Sequence, residues 1–257
     1  MRRAGSVGAM CGRFLASASA DDLARWLGAD DGPDEPVPPS WNVAPTDDVH
    51  VGVVDGAGRR VVDVRRWGLV PPWADDPRVG SRMINARAER IVDAPAYRAA
   101  FARRRCIVPA DGFYEWRRQP GRRPAPYCIT RRDGDRLAMA GVWEAWYGPR
   151  EGDRGDGRPT PLLTVAVVTT AASDDVAPLH DRMPVLLPRR AWDDWLDPDV
   201  RGGPALDALV ALLRPAPAGL LAVRPVGPAV NDVRNQGPHL LDPPPEPVPV
   251  AEQGRLL

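Results

Sequence analysis

Short β-rich runs recur along this chain without regular helices between them, and that spacing restricts the folds available to it. Residues 50–54, 61–67, 106–108, 137–143, 162–169 and 184–187 carry the β-branched and apolar patterns of half-buried or fully buried strands. Helical spacing is confined to 21–27, 94–104, 189–196 and 204–213, each with a suitable cap or an initial proline. An open parallel sheet needs strand–helix alternation, which is missing. The pattern therefore predicts an α+β fold, a mostly antiparallel, partly closed, barrel-like β-sheet with peripheral helices.

With 257 residues, 44% of them apolar, the chain is long enough for one large buried core. No apolar run approaches the roughly 20 residues of a membrane-spanning helix and no secretory signal is apparent, so the cytoplasm is the expected location. The three cysteines lack CxxC spacing, which argues against a disulfide framework and a structural zinc site. Cys106 and Cys128 sit in strand-like contexts and are expected to be buried, inert thiols. Residues 1–9 read as a leader or a misplaced start, 10–235 as the globular domain, 148–161 as a surface insertion, and 236–257 as a proline-rich, disordered tail. Formal net charge is zero, yet arginines crowd residues 65–123 and far outnumber the acids there. A polyanion could dock on that stretch.

Met10-Cys11-Gly12 raises a chemical possibility. If translation starts at Met10 and that residue is removed, Cys11 presents a free α-amine beside its thiol, and the pair can close a five-membered thiazolidine ring on an aldehyde. Gly12, unbranched, leaves such a terminus accessible.

Several downstream segments hold chemistry-bearing residues. Trp41-Asn42-Val43-Ala44-Pro45-Thr46 and Arg66-Trp67-Gly68-Leu69-Val70-Pro71-Pro72-Trp73 are readable either as core tryptophans or as platforms for splayed bases beside cations. In Ile84-Asn85-Ala86-Arg87-Ala88-Glu89, an extended backbone would put Asn85, Arg87 and Glu89 on one face, able to hold a charged, hydroxylated ligand, or simply solvated at a sheet edge. Glu115, between Tyr114 and Trp116, is placed for partial desolvation by its aromatic neighbours and a raised pKa. His180, two residues before Arg182, is the best placed of the three histidines for acid–base work.

Taken in order, these blocks, with Arg105 to Trp116, Ala140 to Glu144 and His180 to Pro184, resemble the SOS-response-associated peptidase (SRAP) family over residues 10–232. The resemblance implies a single α+β domain that shields abasic sites in single-stranded DNA through a covalent bond to an N-terminal cysteine, as a monomer and without metal or cofactor. Carried over residue by residue, it makes Cys11 similar to the nucleophile, Asn85 to the residue holding the sugar, and Glu115 and His180 to the acid–base pair. Arg13, Trp67, Arg87 and Arg182 are similar to the DNA-contacting set, to which the 41–46 segment would add Asn42, Pro45 and Thr46. Two other readings use the same residues. One is a cysteine peptidase whose main act could be cleavage ahead of Cys11, and the other is a non-covalent reader of single strands.

Overall fold

The computed structural model describes residues 11–118, 120–121, 123–148 and 160–245. The proposed leader at 1–9, most of the 148–161 insertion and the chain from 246 onward lie outside the described residues. Among the described residues, twelve strands and four α-helices follow in chain order. The strands are β1 (Phe14–Ala16), β2 (Ser40–Val43), β3 (Asp48–Val54), β4 (Arg60–Trp67), β5 (Asn85–Arg87), β6 (Arg105–Ala110), β7 (Gly112–Arg117), β8 (Ala125–Arg131), β9 (Leu137–Trp146), β10 (Leu162–Ala171), β11 (Arg182–Pro184) and β12 (Leu221–Pro225). The helices are α1 (Ala20–Leu27), α2 (Arg98–Arg103), α3 (Trp192–Leu196) and α4 (Gly203–Val210).

The expected partly closed sheet is present. Strands β10, β4, β3, β6 and β9 pair in that order, and β9 pairs again with β10, which closes the ring. β10 is the hub: it runs parallel to β4 and β5 and antiparallel to β9 and β11. A second sheet, in the order β12-β8-β7-β1-β2, packs beside the first. Strand alternation sorts the core accordingly. Val165 and Val167 of β10 join a cluster with Phe14, Phe113 and Ile129 of the second sheet, whereas Ala166 and Val168 join one with Leu27, Phe101 and Trp195 of the helices. Each face of β10 is thereby covered, and the hub strand is buried along almost its whole length.

Local signals explain the first helix. Ser19 accepts from the Asp22 N–H at the N-terminus of α1, and Gly28 closes its other end at φ 65°. The 94–104 helix is shorter than its pattern suggested, since only residues 98–103 are α-helical. Residues 236–241 are also more ordered than expected. Gln236 accepts from Ser40 and from the Trp41 N–H, residues 238–241 form a 3-10 turn, and Leu240 is buried, so the polar composition there hides one apolar anchor.

Candidate functional site

β-pairing brings the N-terminal segment to the carboxylate. β1 lies antiparallel to β7 with Phe14 opposite Phe113, and the Tyr114 N–H donates to the Arg13 carbonyl. Continuing that alignment sets Cys11 beside Glu115, and the Cys11 backbone N–H donates to Glu115 Oε1 at 3.0 Å. Cys11 stands at φ 43°, a left-handed conformation rare for a non-glycine residue, which its surroundings must hold in place. Its Sγ faces the Arg182 carbonyl at 4.0 Å.

Glu115 is buried, and burial raises its carboxyl above the ordinary carboxylate range, with His180 and the Cys11 N–H partly offsetting the rise. The source of burial differs from the expectation. On β7, Tyr114 alternates to the opposite face and packs with Leu15 and Val226, where Trp116 joins it, so Glu115 shares the Phe113 face between the two sheets. Cys11 is affected more strongly still: burial first and Glu115 second push its thiol well above the usual thiol value.

His180 and Arg182 enter from the opposite side. The Arg182 N–H donates to His180 Nδ1 at 3.0 Å, and Asp181 Oδ1 stands 3.1 Å from the same nitrogen. The Arg182 guanidinium reaches across the end of β10, donating to Glu89 at 2.5 and 2.9 Å and to the Thr169 carbonyl at 2.7 Å. This fork-to-carboxylate pair straps β11 to the turn after β5. Glu89 was expected on the same extended face as Asn85 and Arg87. Instead β5 ends at Arg87, and a 3-10 turn at 88–90 rotates Glu89 toward Arg182.

β5 pairs with β10, placing Asn85 opposite Val167 and Arg87 opposite Thr169, with Ala86 buried on the other face and Arg87 exposed. A close backbone crossing directs the chain into β5. Gly68, at φ 128°, lies so near Gly80 that a Cβ there would come within 2.5 Å of the Gly80 carbonyl oxygen. Any side chain at Gly68 would shift the 68–84 loop that leads to Asn85.

Two of the expected DNA contacts are structural. Trp67 is 1% exposed, packs edge-on against Phe14 and donates its indole N–H to the Ile84 carbonyl, so no base can reach its face. Asn42 is fully buried and ties β2 to the carbonyls of Val230, Asp232 and Asn235. Asn42 does bear on the site indirectly, because its Oδ1 accepts from Arg13 at 2.7 Å and holds that guanidinium over the Trp116 ring. Pro45 and Thr46 form the turn before β3, where Thr46 is exposed at φ 79° and its N–H is taken by the Trp67 carbonyl.

Two residues outside the expected set hold expected ones in place, since Glu89 fixes Arg182 and Trp116 backs Arg13. Trp73, 58% exposed, is the tryptophan of the 66–73 segment whose face is open. A paired motif could not tell which of its two indoles is buried. Cys106 and Cys128 are buried free thiols raised to about 12 and about 11, as their strand contexts suggested. Among the described residues no group of His, Cys, Asp and Glu has the arrangement of a metal site, and no helix is long and apolar enough to cross a membrane.

A family model described as SOS response associated peptidase (SRAP) matches residues 10–233. The chain belongs to the SRAP family. Its relatives include the abasic site processing protein YoqW of Bacillus subtilis, 36% identical over 234 residues, covering 91% of this chain and 99% of that one. The abasic site processing protein YedK of Escherichia coli is 31% identical, covering 91% and 100%. Among solved structures, a Bacteroides thetaiotaomicron protein matches with a TM-score of 0.74 at 22% identity over 91% of this chain and 99% of that one, which confirms the α+β SRAP fold.

The Glu115 environment of this SRAP protein carries a stability prediction. A carboxyl raised in the folded state favours folding at pH values below the ordinary 4.5, and that advantage is lost as pH rises through the folded value. Glu115→Gln keeps an acceptor for the Cys11 N–H but cannot ionise. Its unfolding free energy should therefore gain on wild type by about 1.4 kcal/mol per pH unit across that window. Urea unfolding at a series of pH values reads the difference, and parallel profiles for the two proteins would contradict the buried-carboxyl account.

Proposed function

We propose that this protein captures abasic sites in single-stranded DNA as a thiazolidine on Cys11, once the residues ahead of Cys11 have been removed. The observation that carries the reading is that one carboxylate, Glu115, holds the Cys11 nitrogen while the Cys11 thiol lies beside it against the Arg182 carbonyl. The names of the relatives, abasic site processing proteins, support the same substrate.

In this scheme the carboxyl of Glu115, raised by burial, gives a proton to the ring oxygen of the closed deoxyribose while the C1′ hydroxyl gives up its own to water, which frees the C1′ aldehyde. The neutral amine, with a reference pKa near 8, adds to the aldehyde and water leaves, forming an imine. The thiol then adds to the imine carbon, its proton passing to nitrogen, and the ring closes with no redox change. His180, its Nδ1 engaged by the Arg182 N–H, moves protons at the opened sugar, and Asn85 orients that sugar. Arg13 and Arg87 take phosphates, Arg182 stays held by Glu89, and the open face of Trp73, rather than Trp67, stacks a base.

The geometry also supports self-processing. The nitrogen that Glu115 holds is the one that becomes the amine when the Met10–Cys11 peptide bond is hydrolysed, so the same acid can protonate it as a leaving group. A general cysteine peptidase is less well supported, because such a nucleophile works as a thiolate and this thiol is raised rather than lowered. Incubation with an abasic oligonucleotide, followed by a denaturing gel and N-terminal sequencing, tests the reading. A denaturant-stable complex on protein beginning at Cys11 supports it, and a complex that denaturant dissolves makes the protein a non-covalent reader.

Glu89 gives a further expected outcome. Glu89→Gln releases the Arg182 guanidinium to a phosphate, which should steepen the salt dependence of single-strand binding by about 0.7 in logarithmic slope. Capture itself should slow by about tenfold, because the strap that aligns Arg182 with His180 and Cys11 is lost. Binding titrations at several salt concentrations and single-turnover adduct formation separate the two effects.

A further inference from the structure

A second cationic groove lies away from Cys11. It has a volume of about 640 Å³ and runs between the β8–β9 turn, the segment after β11 and the segment after α4. Trp26 and Trp192 meet edge-to-face in it at 4.7 Å, and the Arg189 guanidinium lies 4.3 Å from the Trp192 ring centre. Arg131 joins the rim from the β8–β9 turn, where Asp133 neutralises it at 2.5 Å. The groove's one lining carboxylate among the described residues, Asp135, is engaged by the Trp26 indole N–H at 2.8 Å. Arg190 and Arg214 are exposed, and neither guanidinium makes a hydrogen bond or ion pair to a described residue. In a chain of zero net charge this is a local excess of free cations beside a half-buried indole.

From these features we infer that the groove takes the continuation of the single strand whose lesion sits at Cys11, an inference that rests on the function proposed above. Two arguments favour a strand over a compact phosphate ligand. The free guanidiniums stand on separate segments of the groove wall, one after β11 and one after α4, and the indole beside them offers a sequence-tolerant stacking surface. One segment of the chain also links the groove to the site. The chain stays extended from Arg182 through Leu187, held by the bonds of Val185 and Leu187 to Val168 and Ala138, and Leu186 in the groove wall is four residues from Arg182, about 13 Å of strand.

The test compares dT oligonucleotides of about 4 and about 16 nucleotides, the ends of the range that single-strand-binding folds occupy. Fluorescence anisotropy at several salt concentrations reads the affinity of wild type and of the exposed double variant Arg190→Ala/Arg214→Ala. The variant should lower the logarithmic salt slope for the long oligonucleotide by about 1.4, two phosphates at about 0.7 each, and leave the short one unchanged. An unchanged slope for the long oligonucleotide overturns the inference. So does displacement of that oligonucleotide by a glutamate-rich peptide of equal charge as readily as by unlabelled dT, which would mark the groove as a protein-docking surface. Adduct formation on a short abasic oligonucleotide should be equal in the two proteins. Its absence from wild type would instead defeat the proposed function, independently of the groove.

Discussion

Cys11→Ser is expected to reduce the denaturant-resistant complex with abasic single-stranded DNA to background while leaving non-covalent binding intact. Serine keeps the amine and the Glu115 contact, so an imine still forms. Its hydroxyl is a far weaker nucleophile toward that imine than a thiol, and the ring that makes the bond persist does not accumulate. The imine either hydrolyses or, holding a protonated nitrogen beside the sugar's acidic carbon, permits β-elimination and strand scission. The variant should therefore convert a shield into a weak nicking activity, with stable adduct down by about a hundredfold or more. In wild type the rate should follow a bell-shaped pH profile, because capture needs both the neutral amine, with its reference value near 8, and the protonated Glu115 carboxyl. Thiolate formation would give a later and steeper rise, since burial and Glu115 both hold the Cys11 thiol high. A serine variant that forms as much durable adduct as wild type removes the thiol from the mechanism.

Arrangement at this site depends on pairings that are distant in sequence. Glu115 meets Cys11 across 104 residues and Arg182 meets Glu89 across 93. What a local pattern can show, it showed. The runs at 50–54 and 162–169 lie inside β3 and β10, and the run at 61–67 lies within β4, because each is long and carries β-branched residues. β1, β5 and β11 have three residues each and draw their stability from neighbours, so nothing in their own composition announces a strand. β7 was visible only as a motif, since its charged and aromatic residues follow the two faces of a sheet whose partner strands lie far away in the chain.

The same limit applies to side-chain roles. Asn42 and Trp67 stand in motifs with the residue types of a nucleic-acid surface, yet both turn inward, one to tie down the segment after β12 and the other to fill the space beneath Phe14. Trp73, six positions further on and past Pro71 and Pro72, turns outward. Residue type supplied the chemistry available to the site, and the closed sheet decided which side chains can offer it to a ligand.

Arg105 is the residue whose loss should damage the fold most. It opens β6 at 4% exposure, and its guanidinium donates to the Phe101 carbonyl at 2.7 Å, to the Trp195 carbonyl at 2.6 Å and to the carbonyl of Asp197. These are late carbonyls of α2 and α3, the groups a helix leaves without partners, and a cation at a helix C-terminus also meets the negative end of its dipole. One side chain thereby fastens two helices to the closed sheet, beside the Phe101–Trp195 contact and the Trp195 indole bond to the Cys106 carbonyl. Burial lowers its pKa to about 10, well above neutrality, so the charge is retained. Arg105→Met fills similar volume but leaves three carbonyls shielded from water, at about 1–3 kcal/mol for each that stays unpaired. The expected loss is about 3–5 kcal/mol, a large share of the roughly 5–15 kcal/mol that a domain has, and a melting temperature lower by about 10 °C. Arg105→Lys should recover only part of it, because an ammonium cannot span three acceptors with the guanidinium's planar fork. Urea unfolding and thermal melts read the loss, and adduct formation at low temperature should persist in the folded fraction. If the methionine variant is as stable as wild type, the desolvation of the guanidinium already cancels its three bonds, and hydrophobic contacts alone hold α2 and α3 to the sheet.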